Sequence, residues 1–159
     1  MGLPDDHPAK LAHETYPVGG IRIESLAFVN CPRSLRAMIE LCFKRVDPKL
    51  PFIIFENEKH SYGEVWKRVS ALASTLKNDL DVGVGDRVSI SMRNYPEWCF
   101  AFLAAACAGA IVVPLNSWWK HEEMAYGLKD SGTKVLFCDA ERLAYASGAL
   151  AELCIRKLS

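Results

Sequence analysis

Residues 98–115 read WCFAFLAAACAGAIVVPL, and this stretch does most to decide the class of fold. It contains no charged or strongly polar side chain, so it is long and apolar enough to cross a bilayer. Its composition changes at Gly109, however, from alanine and aromatic residues to β-branched residues. We therefore predict a buried helix that ends at the glycine, followed by a buried strand at 110–113. A membrane-spanning helix is the alternative interpretation.

The segments on both sides of this stretch alternate between helical and strand patterns. The best-supported helix begins at Ser61, where Ser61 and Glu64 have the spacing of a capping box. Short connections between alternating helices and strands predict an α/β layered domain with a mostly parallel sheet and flanking helices. The other predicted elements are strands at 52–55, 87–92 and 134–138, a polar turn at 56–59, and helices beginning near Pro32, at the cap Asn94, near residue 121 and after the cap Asp139.

The first thirty residues lack this alternation. They show no clear periodicity and contain Pro4, Pro8, Pro17 and the Gly19-Gly20 pair. We predict an irregular leader over 1–30, followed by one folded domain over 31–159. The leader begins with neither a basic segment nor an apolar core, so the sequence does not predict a signal peptide.

Composition excludes several functional classes. The chain carries 19 basic and 19 acidic residues, and no basic stripe is interleaved with aromatic residues, so we predict no nucleic-acid partner. The cysteines form no Cys-x-x-Cys pair and have no histidine at metal-binding spacing, which argues against a metal site. We therefore expect a reduced, cytoplasmic protein, with peripheral membrane association left open. The six cysteines are Cys31, Cys42, Cys99, Cys107, Cys138 and Cys154.

The glycine pair in Gly83-Val84-Gly85-Asp86 resembles part of a dinucleotide-binding turn. In such a turn the glycines follow a strand and precede a helix, whose N-terminal N–H groups meet the phosphates. Here a predicted helix precedes the glycines and a predicted strand follows them, and the third glycine is missing. We therefore interpret the segment as a chain-reversing turn and assign no ribose contact to Asp86.

Other polar residues also lack the arrangement that catalysis requires. His60 and His121 lie at predicted element boundaries, and no serine or cysteine is spaced to act with either as a nucleophile. The adjacent carboxylates Glu122 and Glu123 point in different directions on a helix, so an acid/base pair is not predicted. The loop residues Trp118 and Trp119 either cover the end of the sheet or line an apolar groove, and both interpretations remain open.

In order along the chain, four segments resemble motifs of the adenylate-forming (AMP-binding) enzymes. Residues 60–65 (HSYGEV) resemble the first core motif of that family, which places Tyr62-Gly63-Glu64 in scaffold and not in a ligand pocket. Residues 106–116 (ACAGAIVVPLN) resemble the second core motif. Residues 93–98 (RNYPEW) and 116–119 (NSWW) favour the acyl-CoA synthetase, or fatty-acid–CoA ligase, branch over adenylation modules of peptide synthetases.

This resemblance implies a two-step reaction and an incomplete N-terminal part of the large synthetase domain. In the family, ATP-Mg activates a fatty acid to an acyl-adenylate, and CoA then accepts the acyl group. The family's phosphate-binding loop, ribose-binding carboxylate and C-terminal lysine have no counterpart in residues 1–159. We therefore assign no catalytic, cofactor-binding or metal-binding residue to this chain. ATP, Mg²⁺, CoA and the fatty acid are implied for the complete enzyme, and the missing C-terminal part is the implied partner.

Three hypotheses about function follow. In the first, the chain is the N-terminal portion of an acyl-CoA synthetase and is inactive alone. In the second, it is a non-catalytic interaction module. In the third, it is an unrelated α/β protein that binds a nucleotide or CoA.

Overall fold

The computed structural model describes residues 4–7, 9–18, 20–153 and 155–158, so Gly19 and Cys154 lie outside the described residues. The chain divides into two compact units, Met1–Met38 and Ile39–Ser159. The larger unit contains the motif-bearing segments, and it therefore contains the candidate site described below.

The first unit is built on a β-hairpin. Strands β1 (Leu11–Val18) and β2 (Ile21–Phe28) pair antiparallel in unbroken register, from Leu11 opposite Phe28 to Val18 opposite Ile21. The prediction of an irregular leader is therefore wrong for these residues. Pro17 is compatible with pairing because each strand of a two-stranded hairpin has an open edge, where a missing N–H is tolerated. The division of the chain at residue 30 stays a prediction.

A three-residue polar cluster joins the hairpin to the segment that follows it. The guanidinium of Arg33 donates to both carboxylate oxygens of Glu14, at 2.5 and 2.8 Å, and the Tyr16 hydroxyl donates to Glu14 at 2.5 Å. The hydrogen bond from Arg33, with a smaller contribution from Tyr16, lowers the pKa of Glu14 from 4.5 to about 2. The Glu14 carboxylate is therefore ionised at neutral pH.

We expect Arg33→Gln to move the titration midpoint of Glu14 from about 2 back toward 4.5. Because the pKa of Glu14 is lower in the folded state, the contribution of this cluster to stability is present above pH 4.5 and is lost as the pH falls toward 2. NMR titration of the Glu14 side chain measures the midpoint directly. Tyr16→Phe is the matched control and should produce a smaller rise. An unchanged midpoint in Arg33→Gln would contradict the assignment.

The second unit contains two sheets. Strands β3 (Pro51–Phe55) and β4 (Glu58–Ser61) form an antiparallel pair. Four parallel strands form the main sheet in the order β6-β5-β7-β8. Their bounds are β5 Arg87–Ser91, β6 Ile111–Pro114, β7 Thr133–Cys138 and β8 Arg156–Leu158. The predicted α/β class with a mostly parallel sheet is confirmed.

Five helices accompany the strands in the described residues. Helix α2 begins as predicted, because the Ser61 hydroxyl accepts the Glu64 N–H at 3.3 Å and the Glu64 carboxylate accepts the Ser61 N–H at 2.8 Å. None of the described helices is long and apolar enough to span a membrane. The helices are α1 Leu35–Arg45, α2 Tyr62–Asn78, α3 Pro96–Ala108, α4 His121–Ser131 and α5 Ala140–Glu152.

The apolar stretch forms a helix and a strand, as predicted. Helix α3 ends at Gly109, which has a φ of +88°, and a Cβ there would lie 3.0 Å from a methyl group of Val84. Both the backbone conformation and the close approach of Val84 therefore favour glycine. The prediction of Asn94 as the N-cap of α3 is wrong, because the helix begins at Pro96 and Tyr95 is therefore the N-cap residue. The Tyr95 side chain makes no capping hydrogen bond.

Two further predictions need correction. Strand β3 does not join the parallel sheet but pairs with β4, so Glu58 and Lys59 form a strand where a turn was predicted. Strand β6 is an edge of the main sheet and Ile111 is 54% exposed, so this strand is less buried than its composition indicates. The short strand β8 was not predicted, because three residues carry too little pattern.

The main sheet separates two hydrophobic clusters. Helices α2 and α3 pack on one face, where Val65, Val69 and Leu76 of α2 are fully buried. Helices α4 and α5 pack on the other face, where Met124 and Leu128 are fully buried. Along α2 the sequence predicts Trp66 and Leu72 in the core and Lys67 and Lys77 on the surface. The two lysines are exposed, whereas Trp66 and Leu72 are half-buried and pack against the first cluster from its border. Helices on both faces are the arrangement of doubly wound α/β folds.

Candidate functional site

The chain reverses its direction of winding at β5. The connection through α3 places β6 on one side of β5, whereas the connection through α4 places β7 on its other side. When the loops after two neighbouring parallel strands run to opposite faces of the sheet, the loops diverge. They leave a crevice at the carboxyl ends of those two strands. The carboxyl ends of β5 and β7 are therefore where a ligand site is expected in this sheet.

A cleft of ≈ 440 Å³ lies at this position. Its wall is mostly apolar and consists largely of residues that are less than a tenth exposed, such as Met92, Phe100 and Phe137. The volume falls within the range of small-molecule sites, roughly 300–1,000 Å³. The lining residues are Leu72, Met92, Tyr95, Glu97, Phe100, Ala101, Phe137, Cys138 and Asp139.

The charged residues that line the cleft are both acidic. Glu97 lies in the first turn of α3, where the helix dipole favours a carboxylate, and its side chain is exposed. Asp139 caps α5 by accepting the Arg142 N–H at 2.9 Å, as predicted, and it also accepts the Arg93 N–H at 3.2 Å. Asp139 therefore fixes the loop after β5 to the start of α5.

Arg142 extends this connection to the loop after β6. Its guanidinium donates to Asp139 at 3.2 Å, to Glu141 at 2.7 Å and to the carbonyl of Ser117 at 2.7 Å, with only 3% of the residue exposed. Burial by itself lowers the pKa of Arg142, but the hydrogen bonds and charges of Asp139 and Glu141 raise it overall. The loops that follow β5, β6 and β7 are thus held together by one buried cation and its partners.

The two tryptophans take different positions. Trp118 is 72% exposed, and the guanidinium carbon of Arg93 lies 3.4 Å from its ring centroid, which is a cation–π contact. Trp119 and Leu115 both pack against the second cluster, and a Cβ at Gly127 would be 2.6 Å from the Trp119 ring. Trp119 also lines a pocket of ≈ 370 Å³, so packing and groove lining both stay open for it, and neither tryptophan lines the ≈ 440 Å³ cleft.

Asp86 lies at the opposite end of the sheet from the cleft. Its carboxylate accepts the Lys134 ammonium at 2.7 Å and the Gly83 N–H at 2.8 Å, and these two hydrogen bonds lower its pKa. Gly85 has a φ of +86°, which is the left-handed conformation of a tight turn. The structure thus agrees with the chain-reversing interpretation, in which this carboxylate stabilises the connection between α2 and β5.

The remaining polar candidates lie apart from one another. His60 is buried, with its Nε2 3.2 Å from Glu58 and its ring edge-on to Phe100. His121 instead contacts the Tyr145 ring. No cluster of three or more histidine, cysteine or acidic residues that could hold a metal ion occurs in residues 4–7, 9–18, 20–153 and 155–158.

Sequence reasoning identified Asp139 as a cap but missed the cleft. Leu72, Phe100, Phe137 and Asp139 come from α2, α3, β7 and the start of α5, and each resembles an ordinary core or cap residue in the sequence. Only the order of the strands brings them together. The predicted parallel sheet could have indicated a cleft, because clefts form in such sheets at the point where the strand order reverses.

Sequence comparisons find several acyl-CoA ligases. Acyl-CoA ligase sidI of Beauveria bassiana is 42% identical over 77 residues, which cover 48% of this chain and 13% of that protein. Long-chain-fatty-acid–CoA ligase FadD13 of Mycobacterium tuberculosis is 41% identical over 61 residues, covering 38% and 12%. Human long-chain fatty acid transport protein 6 is 28% identical over 106 residues, covering 67% and 17%. The chain thus spans less than a fifth of the length of these relatives.

Two solved structures with a similar fold agree with these sequence similarities. The N-terminal subdomain of NpsA from Klebsiella oxytoca, in complex with 3-hydroxybenzoyl-AMSN, superposes with a TM-score of 0.68 at 28% identity, covering 79% of this chain and 30% of that chain. Apo MatB from Rhodopseudomonas palustris gives a TM-score of 0.68 at 25% identity, covering 76% and 24%. These similarities confirm the resemblance to adenylate-forming enzymes of the acyl-CoA ligase branch. The sequence pattern of the AMP-binding enzymes matches residues 43–157, so the chain belongs to the AMP-binding enzyme family.

Proposed function

We propose that this chain supplies scaffold to an acyl-CoA synthetase, whose complete form activates a fatty acid with ATP-Mg and transfers the acyl group to CoA. The observation that carries the proposal is the family match over residues 43–157, together with relatives that are several times longer than the chain. By itself the chain does not form acyl-adenylate. The part of the enzyme that binds the triphosphate has to come from the missing C-terminal portion.

Electrostatics gives the physical reason for this inactivity. Attack on the α-phosphorus of ATP requires cations and backbone donors that neutralise the triphosphate as charge develops. The charged residues that line the cleft are Glu97 and Asp139, and both would repel a phosphate. The buried cation beside them, Arg142, is already held by Asp139 and Glu141. The same charges disfavour the alternative in which the isolated chain binds a nucleotide or CoA.

The proposed contribution of the chain is positional. Strand β6 is one edge of the parallel sheet. Among the described strands only β5 pairs with it, so a further strand can be added on its other side. The loops after β5, β6 and β7 are already fixed by Asp139 and Arg142. A complementary part of the enzyme would therefore meet a prearranged surface, which lowers the entropic cost of assembling the active site.

Pyrophosphate release tests the proposal. The purified chain is incubated with ATP, Mg²⁺ and palmitate or a shorter acid, alone and together with the complementary part of an acyl-CoA ligase expressed as a separate chain. We expect release at the level of a heat-treated control for each part alone, and clear turnover for the mixture. Heat-sensitive turnover by the chain alone, or no turnover in the mixture although the two parts bind each other, would overturn the proposal.

Two glycine variants make this test specific to the scaffold. Gly109→Val places a side chain at a φ of +88° and 3.0 Å from a Val84 methyl group, so it should disturb the connection between α3 and β6 and abolish turnover of the mixture. Gly148→Ala is the matched control, because a Cβ at that helical position meets no atom within 4 Å. Turnover of the mixture should therefore persist in Gly148→Ala.

A further inference from the structure

The residues that line the cleft at the carboxyl ends of β5 and β7 indicate which class of ligand it would take. Its wall is apolar and already formed, because Met92, Phe100, Ala101 and Phe137 are each at most 8% exposed. Such a wall favours a ligand with an apolar body, because burial of CH₂ groups against it removes apolar surface from water. Shape alone would not distinguish an acid from an amine.

The two carboxylates at the mouth of the cleft, those of Glu97 and Asp139, do distinguish an amine from an acid. Glu97 is exposed and makes no hydrogen bond or ion pair with the described part of the chain. Asp139 is the second carboxylate, and its side chain keeps 19% of its surface accessible despite its bonds to Arg93 and Arg142. An ammonium group at the mouth would be attracted by both carboxylates, whereas a carboxylate would be repelled by them.

Three arginines lie near the cleft, but none of them is among the residues that line it. Arg142 is 3% exposed and its charge is shared between Asp139 and Glu141, which leaves an excess of negative charge in that group. Arg93 lies against the Trp118 ring. Arg68 lies 5.3 Å from the Phe100 ring centroid, and like the other two arginines it does not line the cleft.

We propose that this cleft binds an amphipathic amine, with its apolar body against Met92, Phe100 and Phe137 and its ammonium group at Glu97 and Asp139. The proposal goes beyond the synthetase function and is independent of it. It also separates this cleft from the acid substrate, because a fatty acid is the ligand that the mouth disfavours. An apolar, basic segment of another protein is the competing occupant, and the experiment below distinguishes it.

Methionine methyl groups provide a specific probe. The chain has four methionines, of which Met92 lines the cleft and Met124 is fully buried in the cluster on the other face of the sheet. The chain is labelled with ¹³C at the methionine methyl groups and titrated, at neutral pH and low salt, with octylammonium chloride or sodium octanoate below their micellar concentrations. We expect a saturable shift of Met92 with octylammonium, while Met124 stays unchanged.

The ratio of the affinities for octylammonium and octanoate decides whether the proposal holds. Octylammonium should bind about fivefold more tightly than octanoate, and added salt should reduce this ratio, as for an exposed ion pair. Glu97→Gln should lower the ratio by about threefold. Asp130→Asn is the matched control, because it removes an exposed charge that does not line the cleft and should leave the ratio unchanged. Leu72→Phe, which fills the cleft from a half-buried position, should weaken binding of both ligands.

Several outcomes would overturn the proposal. The first is that octanoate binds as tightly as octylammonium or more tightly, and the second is that Glu97→Gln leaves the ratio of their affinities unchanged. The third is that the Met124 methyl signal shifts as much as the Met92 signal. If neither amphiphile shifts Met92 but the complementary part of a synthetase does, the cleft is a contact for a protein segment and the amine proposal is wrong. Failure of the pyrophosphate experiment would leave the result of this titration unaffected, so the two proposals are tested separately.

Discussion

Replacing Arg142 by Leu is expected to destabilise the second unit by about 3 kcal/mol, because it leaves buried acceptors without their cation. The guanidinium is 3% exposed and donates to Asp139, Glu141 and the Ser117 carbonyl, so three acceptors lose a donor at once. Asp139 keeps 19% of its side-chain surface and two backbone donors, which places the cost at the low end of values for broken buried pairs.

Urea unfolding followed by tryptophan fluorescence measures this cost, since all four tryptophans belong to the second unit. Arg142→Lys keeps the charge but loses the planar fork, and it should recover part of the stability. Glu141→Gln is the control: its side chain is 60% exposed, so the loss should be below about 1 kcal/mol. If Arg142→Leu costs no more than Glu141→Gln, Arg142 does not hold the three loops together.

Replacing Leu76 by Ala is expected to cost about 2–5 kcal/mol, the range for a large side chain removed from a rigid core. Leu76 is fully buried between α2 and the sheet, in a cluster with Val65 and Val69. Removal of its isobutyl group loses burial and leaves a void that surrounding side chains refill only in part. The midpoint of urea unfolding should fall while the slope stays constant.

Leu72 provides the matched comparison on the same helix. It lies one turn earlier, is half-buried and lines the cleft, so solvent already reaches it. Leu72→Ala should cost about 1–2 kcal/mol, because less apolar surface loses its burial and no closed void forms. Equal costs for the two variants would mean that the cleft is closed in solution, or that the first cluster relaxes around position 76.

The helices and the central strands were predictable because their signals are local. The capping box at Ser61 and Glu64, the cap Asp139 and the left-handed glycine at the end of α3 each depend on a few neighbouring residues. The start of α3 was misplaced by one residue, because Asn94 is a good cap by type but Pro96 fixes where the helix begins. Local chemistry therefore gives the elements, with small errors at their ends.

Errors occurred where distant segments decide the outcome. The β1–β2 hairpin depends on pairing between two strands, and Pro17 and Gly20 hid the extended pattern of each strand taken alone. The polar segment at 58–61 becomes a strand only because β3 provides a partner. The cleft likewise depends on strand order, which brings Leu72 near Asp139 although neither residue is unusual in the sequence. Pairing and strand order are long-range properties, so residue patterns alone did not reveal them.

The central position of β5 has a consequence for the growing chain on the ribosome. Strand β5, α3 and β6 are contiguous, so they can pack with α2 as soon as β6 has emerged. Thr133, which meets Ser89 at 2.5 Å on the other face, lies 44 residues later than Ser89, a delay of several seconds at usual rates of synthesis. During that interval we expect this face of β5 to be exposed to solvent, where it presents the hydroxyl groups of Ser89 and Ser91 and not apolar side chains. Two polar side chains on a face that waits for its covering should limit association with other chains, whereas in the finished fold both serines are buried and the Ser91 hydroxyl has no hydrogen-bond partner.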